Sequence, residues 1–367
     1  VVPTSSAPPS APPDGAALFS PDYATARLRF REAATVAGAT LSALELTARG
    51  PGGETLTLDI ARLGAAHAPK VLLHVCGLHG VEAFTGSAVQ LALLGAPPAM
   101  APDTALVLVH VANPWGMAWL RRCNDNNVDL NRNFLAEDAS WSGCPPLYNT
   151  LDPLLNPPSP PSRDFFLLRL AGCGLRHGSA AVRQAIAHGQ YRYPRGLFYG
   201  GDRLQAEARL LGDWLHTALA AASHVFAIDL HTGLGRRGDS TLIAEPLPGN
   251  DAAALSRRLG LRVQGGAGSP AAYAVRGSFG AALPRLLPGA RIGFVLQEIG
   301  TAPPLQVLHA LREENRWHHH GDGGDHPCRR ALLSALCPAD RNWRETAVSH
   351  GSHLAQRAAI ALQSGTD

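Results

Sequence analysis

KVLLHVCGLHG (residues 70–80), then VEAFTGSAVQLALLG (81–95), then ALVLVHVANP (105–114) set the architecture of the chain. The first and third are short runs rich in Val, Leu and Ala that stop at Gly or Pro, as fully buried strands do. The middle stretch suits a helix closed by Gly95. Strand, helix, strand at this spacing is the unit of a parallel sheet with crossover helices. Outward from it, LTLDIARLG (56–64), SHVFAIDLHTG (223–233) and ARIGFVLQEIGT (290–301) read as further buried strands. PDYATARLRFREAATVAG (from Pro21), LQAEARLLGDWLHTAL (204–219), PLQVLHALREENRWHHH (304–320) and WRETAVSHGSHLAQRAAIALQ (343–363) read as helices. The expectation is an α/β fold with a mixed, mostly parallel central sheet and helices on both faces.

Residues 1–16, VVPTSSAPPSAPPDGA, have no apolar period and are expected to form a flexible tail, with residues 17–367 as one domain. The Pro-rich stretch CPPLYNTLDPLLNPPSPPSRD (144–164) fits either a linker or a long surface loop; candidate site residues on both sides of it favour the loop. The chain is 46% hydrophobic and 17% charged, below the ~25% charged of an average globular protein, so general disorder is excluded. The net charge of +3 is spread rather than clustered, which argues against a nucleic-acid partner. No run of about 18 apolar residues occurs, so no membrane span is expected. Six dispersed cysteines without a CxxC suggest neither a zinc ribbon nor a disulfide framework and fit a reducing compartment. A cytoplasmic location is expected, or a periplasmic or secreted one if a leader has been removed. The sequence leaves the oligomeric state open.

His79 and Glu82, three residues apart on the turn between a strand and a helix, can reach one cation, and a nitrogen–oxygen donor set suits zinc. An incidental histidine beside a helix-start carboxylate would look the same in isolation. His231, at the end of another strand, supplies a third ligand where open α/β sheets place their sites. Three protein ligands and one open position are the pattern of catalytic zinc. Glu298 ends a further apolar strand, where an unpaired carboxylate is costly, and could take a proton from water beside a metal. LRRCNDNNVDLNRNF (120–134) brings Arg121, Arg122, Asp129, Asn131 and Arg132 into a segment able to grip a carboxylate, or to serve as a solvated loop.

In order and spacing, HGVE (79–82), NNVDLNRNF (126–134), DLHTG (229–233) and QEIGT (297–301) resemble the zinc carboxypeptidase superfamily. That superfamily also contains aspartoacylase-like and succinylglutamate desuccinylase-like amidohydrolases. FSPDYATARLRF, GQYRYPRGLFYGG and ENRWHHHG are similar to a bacterial branch of it, so the resemblance spans roughly residues 17–365. It implies one zinc ion per chain on His79, Glu82 and His231, with Glu298 as general base and later proton donor. It makes Arg122 the residue that polarises the scissile carbonyl, with Arg121 as the neighbouring alternative. Asn131 and Arg132 match a substrate-carboxylate clamp, and Asp129 a carboxylate that orients a zinc histidine. Tyr273, 25 residues before Glu298, matches a substrate-facing tyrosine or else packs in the core. The implied activity is metal-promoted hydrolysis of an amide in a peptide or an N-acyl amino acid. A binding protein that has lost catalysis is the competing class.

Other motifs lose. GLGRRG (233–238) fits a dinucleotide fingerprint, but the strand-like STLIAEPL follows where that fingerprint needs a helix. His318, His319 and His320 point in different directions if helical and cannot easily share one ion. SHGSH (349–353) has no GxSxG elbow. Tyr191, Tyr193, Phe198 and Tyr199 could wall a pocket or simply pack a turn. The N-terminal stretch is too short for an inhibitory pro-domain, so no zymogen is expected.

Overall fold

The computed structural model describes residues 14–265, 275–323 and 326–363. Eight strands form one sheet: β1 (Thr40–Arg49), β2 (Thr55–Leu63), β3 (Lys70–Cys76), β4 (Thr104–His110), β5 (His224–Thr232), β6 (Ser240–Ala244), β7 (Val263–Gly265) and β8 (Arg291–Ile299). Their spatial order is β1-β2-β4-β3-β5-β8-β6-β7. The central strands β4, β3, β5 and β8 run parallel, β6 pairs parallel with β7, and the β1–β2, β2–β4 and β6–β8 pairings are antiparallel. The sheet is thus mixed and mostly parallel, as expected.

Consecutive residues of β3, β4 and β5 are buried, so neither face of the sheet centre meets water. Helices must therefore cover both faces. The helices Tyr23–Val36 and Arg341–Gln363 both pack on Ala83–Gly95, and Ala206–Ala218 packs on Phe279–Leu286. Tyr23, Ala26, Phe30 and Ala34 form the buried stripe of the first of these helices, while Asp22 caps it by accepting from Thr25 N at 2.7 Å.

The Pro-rich stretch differs from the expected loop: Pro146–Leu155 is a helix. Proline is tolerated at its first turn, and Tyr148, Leu151, Leu154 and Leu155 recur at helical spacing on a buried face. That face joins Phe166, Leu170, Leu311 and Leu336 in a second hydrophobic cluster beside the sheet. Beyond it, the backbone of Ser159 and Pro160 and the Asp164 carboxylate engage the buried Arg316. The segment is held down by packing and by cations. Gly15–Leu18, whose first two residues fall within the stretch expected as a tail, is a 3-10 turn whose Asp14 cap accepts from Ala16 N; residues 1–13 lie outside the described residues. No helix among the described residues is long and apolar enough to cross a membrane.

Candidate metal centre

The site lies at the carboxyl ends of three neighbouring strands. His79 follows β3, His231 is the last but one residue of β5, and Glu298 sits opposite His231 in the β5–β8 register. Sites in open α/β sheets form at this edge. Glu82 ends the 3-10 turn Gly80–Glu82. Gly80 lets that turn close: a Cβ there would stand 2.1 Å from the Gly116 carbonyl carbon.

His79 Nδ1 lies 3.0 Å from Glu82 Oε1 and 3.0 Å from His231 Nδ1, which is 3.2 Å from Glu82 Oε2. The other ring nitrogens are held by carboxylates: His79 Nε2 at 3.0 Å from Asp129 Oδ1, and His231 Nε2 at 2.8 Å from Asp229 Oδ2. These contacts fix the ring planes and leave both Nδ1 atoms facing one point with a Glu82 oxygen. Ligand atoms around a four-coordinate ion with bonds of about 2.0–2.1 Å stand roughly 3.3 Å apart, so this donor set fits zinc. Among the described residues it is the one group of three His, Cys, Asp or Glu side chains close enough to hold an ion.

All of these groups are buried. Burial would raise the Glu82 carboxyl and lower His231, but their partners win: His79 and His231 hold Glu82 far below the carboxylate range. Asp229 and Glu82 hold His231 well above the usual imidazole value. Asp129 is likewise kept ionised against its burial by Arg122 and Arg132. Glu298 is different. Burial, reinforced by the Glu82 charge, pushes its carboxyl up to about 7 despite the nearby His231, and it accepts one hydrogen bond, from Leu234 N at 3.3 Å.

The two adjacent arginines part company. Arg122 donates from Nη1 to Glu82 Oε1 and from Nε to Asp129 Oδ2, both at 3.1 Å. Arg121 turns away and is buried against Glu314 at 2.7 Å, Asn127 at 3.0 Å and Asn315 at 3.3 Å. Arg132 donates to the Ala187 carbonyl from Nε and Nη2 and to the Asn131 carbonyl from Nη1. Asn131 Oδ1 accepts from Phe279 N at 2.9 Å. Gly277, at φ +75, passes close by; a Cβ there would meet the Arg132 carbonyl oxygen at 2.4 Å. Tyr273 lies outside the described residues.

Two contributors escaped the sequence reading. Asp229 has a signal, since D-x-H on a strand puts both side chains on one face. Phe198, weighed as a pocket wall or as turn packing, lies under both Arg122 (5.2 Å) and Arg132 (5.8 Å) and holds a left-handed backbone, φ 57. Tyr191 donates to the Arg132 carbonyl at 2.6 Å, so this aromatic loop braces the arginines. Of the remaining motifs, GLGRRG reaches the centre through Leu234 N, which donates to Glu298. GLGRRG is followed by strand β6, and His318 packs edge-on against Trp115.

Comparison with curated proteins finds no match. Solved structures with a similar fold include the carboxypeptidase A of Helicoverpa armigera, at 14% identity and TM-score 0.46, covering 86% of this chain and 74% of that one. A metallo-carboxypeptidase of Burkholderia cenocepacia aligns at 11% identity and TM-score 0.47 over 92% of this chain and 68% of that one. The succinylglutamate desuccinylase of Chromobacterium violaceum aligns at 16% identity and TM-score 0.36, covering 87% and 74%. A sequence family described as "Protein of unknown function (DUF2817)" matches residues 19–350, from the first helix to within the last, and the chain belongs to that family.

Proposed function

We propose that the protein is a zinc-dependent hydrolase that cleaves an amide or peptide bond beside a free carboxylate. The observation that supports this most is the triangle of His79 Nδ1, His231 Nδ1 and the Glu82 carboxylate with edges of 3.0–3.2 Å, each imidazole oriented from behind by its own aspartate. An ion held there supplies Lewis acidity to a carbonyl and to water. Glu298, next to the triangle and with its carboxyl raised to about 7, accepts the proton of the attacking water and passes it to the leaving nitrogen. Arg122 commits Nε and Nη1 to carboxylates and offers its Nη2 end to the carbonyl oxygen as negative charge develops. Arg132, its plane fixed by the Ala187 and Asn131 carbonyls, joins Asn131 in holding the substrate carboxylate.

C-terminal residues of peptides and N-acyl amino acids both place a carboxylate beside the scissile amide, so one clamp serves either class. The test is mass spectrometry of the zinc-loaded protein with free-acid peptides, their C-terminal amides and N-acyl amino acids, using Glu298→Gln as the blank. Release of single C-terminal residues from free acids alone is the expected result. Cleavage confined to N-acyl amino acids moves the protein to the deacylase side. Zinc binding without turnover of any substrate overturns the enzyme reading, and turnover by the Gln variant removes Glu298 from its role.

A further inference from the structure

The helix Phe166–His177 buries only Phe166 and Leu170 on its inner side. Its outer side is apolar as well. Leu168 is 73% exposed, Leu175 90%, and Phe165, just before the helix, 76%. Leu168, Gly172 and Leu175 follow at i, i+4 and i+7, so they share one stripe, and Ala171 lies beside it. A solvent-facing stripe of large apolar side chains is the reverse of what a surface helix presents when it meets only water.

The exposed ionised side chains of this stretch are arginines. Arg163, Arg169 and Arg176, with Arg183 on the next helix, are exposed, and none of the four has an ion pair among the described residues. The nearest acid in sequence, Asp164, is taken up by the buried Arg312 and Arg316. Apolar knobs flanked by unpaired guanidinium groups complement a surface that is greasy inside and anionic at its rim. A second copy fits poorly, because a two-fold contact would set these arginines against their own counterparts with no acid between them.

From this we propose that the face formed by Phe165, Leu168 and Leu175, with Arg163, Arg169 and Arg176 around it, is a docking surface for an anionic lipid bilayer. The helix lies along the membrane with its apolar stripe among the acyl chains and its arginines at the headgroups. The protein is held at the surface without crossing it. This attachment is independent of the hydrolase reading, since none of its residues belongs to the metal centre.

The experiment is co-sedimentation of the full chain with phosphatidylglycerol vesicles and with phosphatidylcholine vesicles, at low and at high salt. Binding to the anionic vesicles that weakens with salt, with little binding to the zwitterionic ones, is expected. Leu168→Glu/Leu175→Glu changes only exposed side chains and should cut binding at least tenfold, as should Arg169→Glu/Arg176→Glu, while both variants keep the wild-type circular dichroism spectrum. The proposal is overturned by failure to bind anionic vesicles, which would turn the search to an acidic protein groove. It is also overturned by undiminished binding of the Leu168→Glu/Leu175→Glu variant, or by a wild-type dimer in sedimentation equilibrium that this variant dissociates.

Discussion

His79 and Arg122 are held by the same carboxylate: Asp129 accepts from His79 Nε2 on one oxygen at 3.0 Å and from Arg122 Nε on the other at 3.1 Å. The aim of the His79 ring and the aim of the Arg122 guanidinium are therefore set together. Asp129→Asn keeps the shape but offers one acceptor oxygen in place of two. It is expected to weaken zinc binding roughly 10–100-fold and to lower kcat at saturating zinc. Chelator competition and steady-state kinetics measure the two effects, and loss of one without the other would separate the roles assigned to Asp129.

Metal binding should strengthen as pH rises. With no ion bound, the Asp229 and Glu82 carboxylates hold His231 well above the usual imidazole value against the pull of burial. A proton there competes with the ion, and alkali removes it. Calorimetry between pH 6 and pH 8.5 should show tighter zinc binding at the higher pH. His231→Ala and His79→Ala should reduce bound zinc from one ion per chain to near none, read by elemental analysis.

The acid limb of kcat/KM follows Glu298. Its carboxyl, pushed up to about 7 by burial and by the charge of Glu82, must be ionised to accept a proton, so activity falls as pH drops through its pKa. A bound dication draws that pKa down, which places the limb below pH 7. Glu298→Gln should keep zinc and lose kcat by roughly 10²–10⁴-fold. A Gln variant that retains the limb would show that another group titrates there.

Arg121→Ala and Arg122→Ala, one residue apart, should fail differently. Arg121 is buried against Glu314 at 2.7 Å, and removing it strands that carboxylate, at a cost of about 3–5 kcal/mol. Arg122→Ala should chiefly reduce kcat, by about 10²–10³-fold, as loss of an oxyanion donor does. Thermal melts beside kinetics distinguish them, and a stable but inactive Arg121 variant would reverse the assignment.

Glu207 offers a gain in stability. Burial raises this carboxyl from 4.5 to about 7. The folded chain thus binds its proton more tightly than the unfolded chain does. The resulting stability is fully present below about pH 4.5 and lost as pH rises through 7. Glu207→Gln stays neutral and can still accept from Asn124 Nδ2, the 3.2 Å donor of the wild type. It should be more stable than wild type at pH 8 by roughly 1–3 kcal/mol and about equal to it at pH 4.5. Equal melting temperatures at pH 8 would discount this account.

The strands that carry the site were legible because they are largely buried and so read as apolar runs: β5 and β8 fall within two residues of their expected spans, while β3 and β4 start within one residue of theirs but stop four residues earlier. Edge strand β1 was not, since its residues are mostly exposed or half-buried and TLSALELTAR has no such run. The helix Pro146–Leu155 was hidden by its prolines, whose positions at the first and last turns a composition count does not weigh. Within the site, His79, Glu82, His231 and Glu298 stood out as polar residues at the ends of apolar strands. Asp229 did not, because it lies inside a strand, and its cost of burial is visible only once His231 is seen beside it. Spacing favoured Arg122 over Arg121 only through the family resemblance, and left Arg121 as the alternative. The turn that sends one to Glu314 and the other to Glu82 depends on a helix almost two hundred residues further on.

His231 and Glu298 face each other across one rung of the β5–β8 ladder. Side chains alternate along a strand, so slipping either strand by one residue would send one of the pair to the opposite face of the sheet. The separation of His231 and Glu298 is thus set by the backbone lattice, while the surrounding loops contribute shape. The loop around Tyr191 braces Arg132 and shares in that constraint, whereas the stretch after Phe134 can be exchanged or lengthened without moving the His231–Glu298 pair. A designer seeking new specificity should work there and leave both strands untouched.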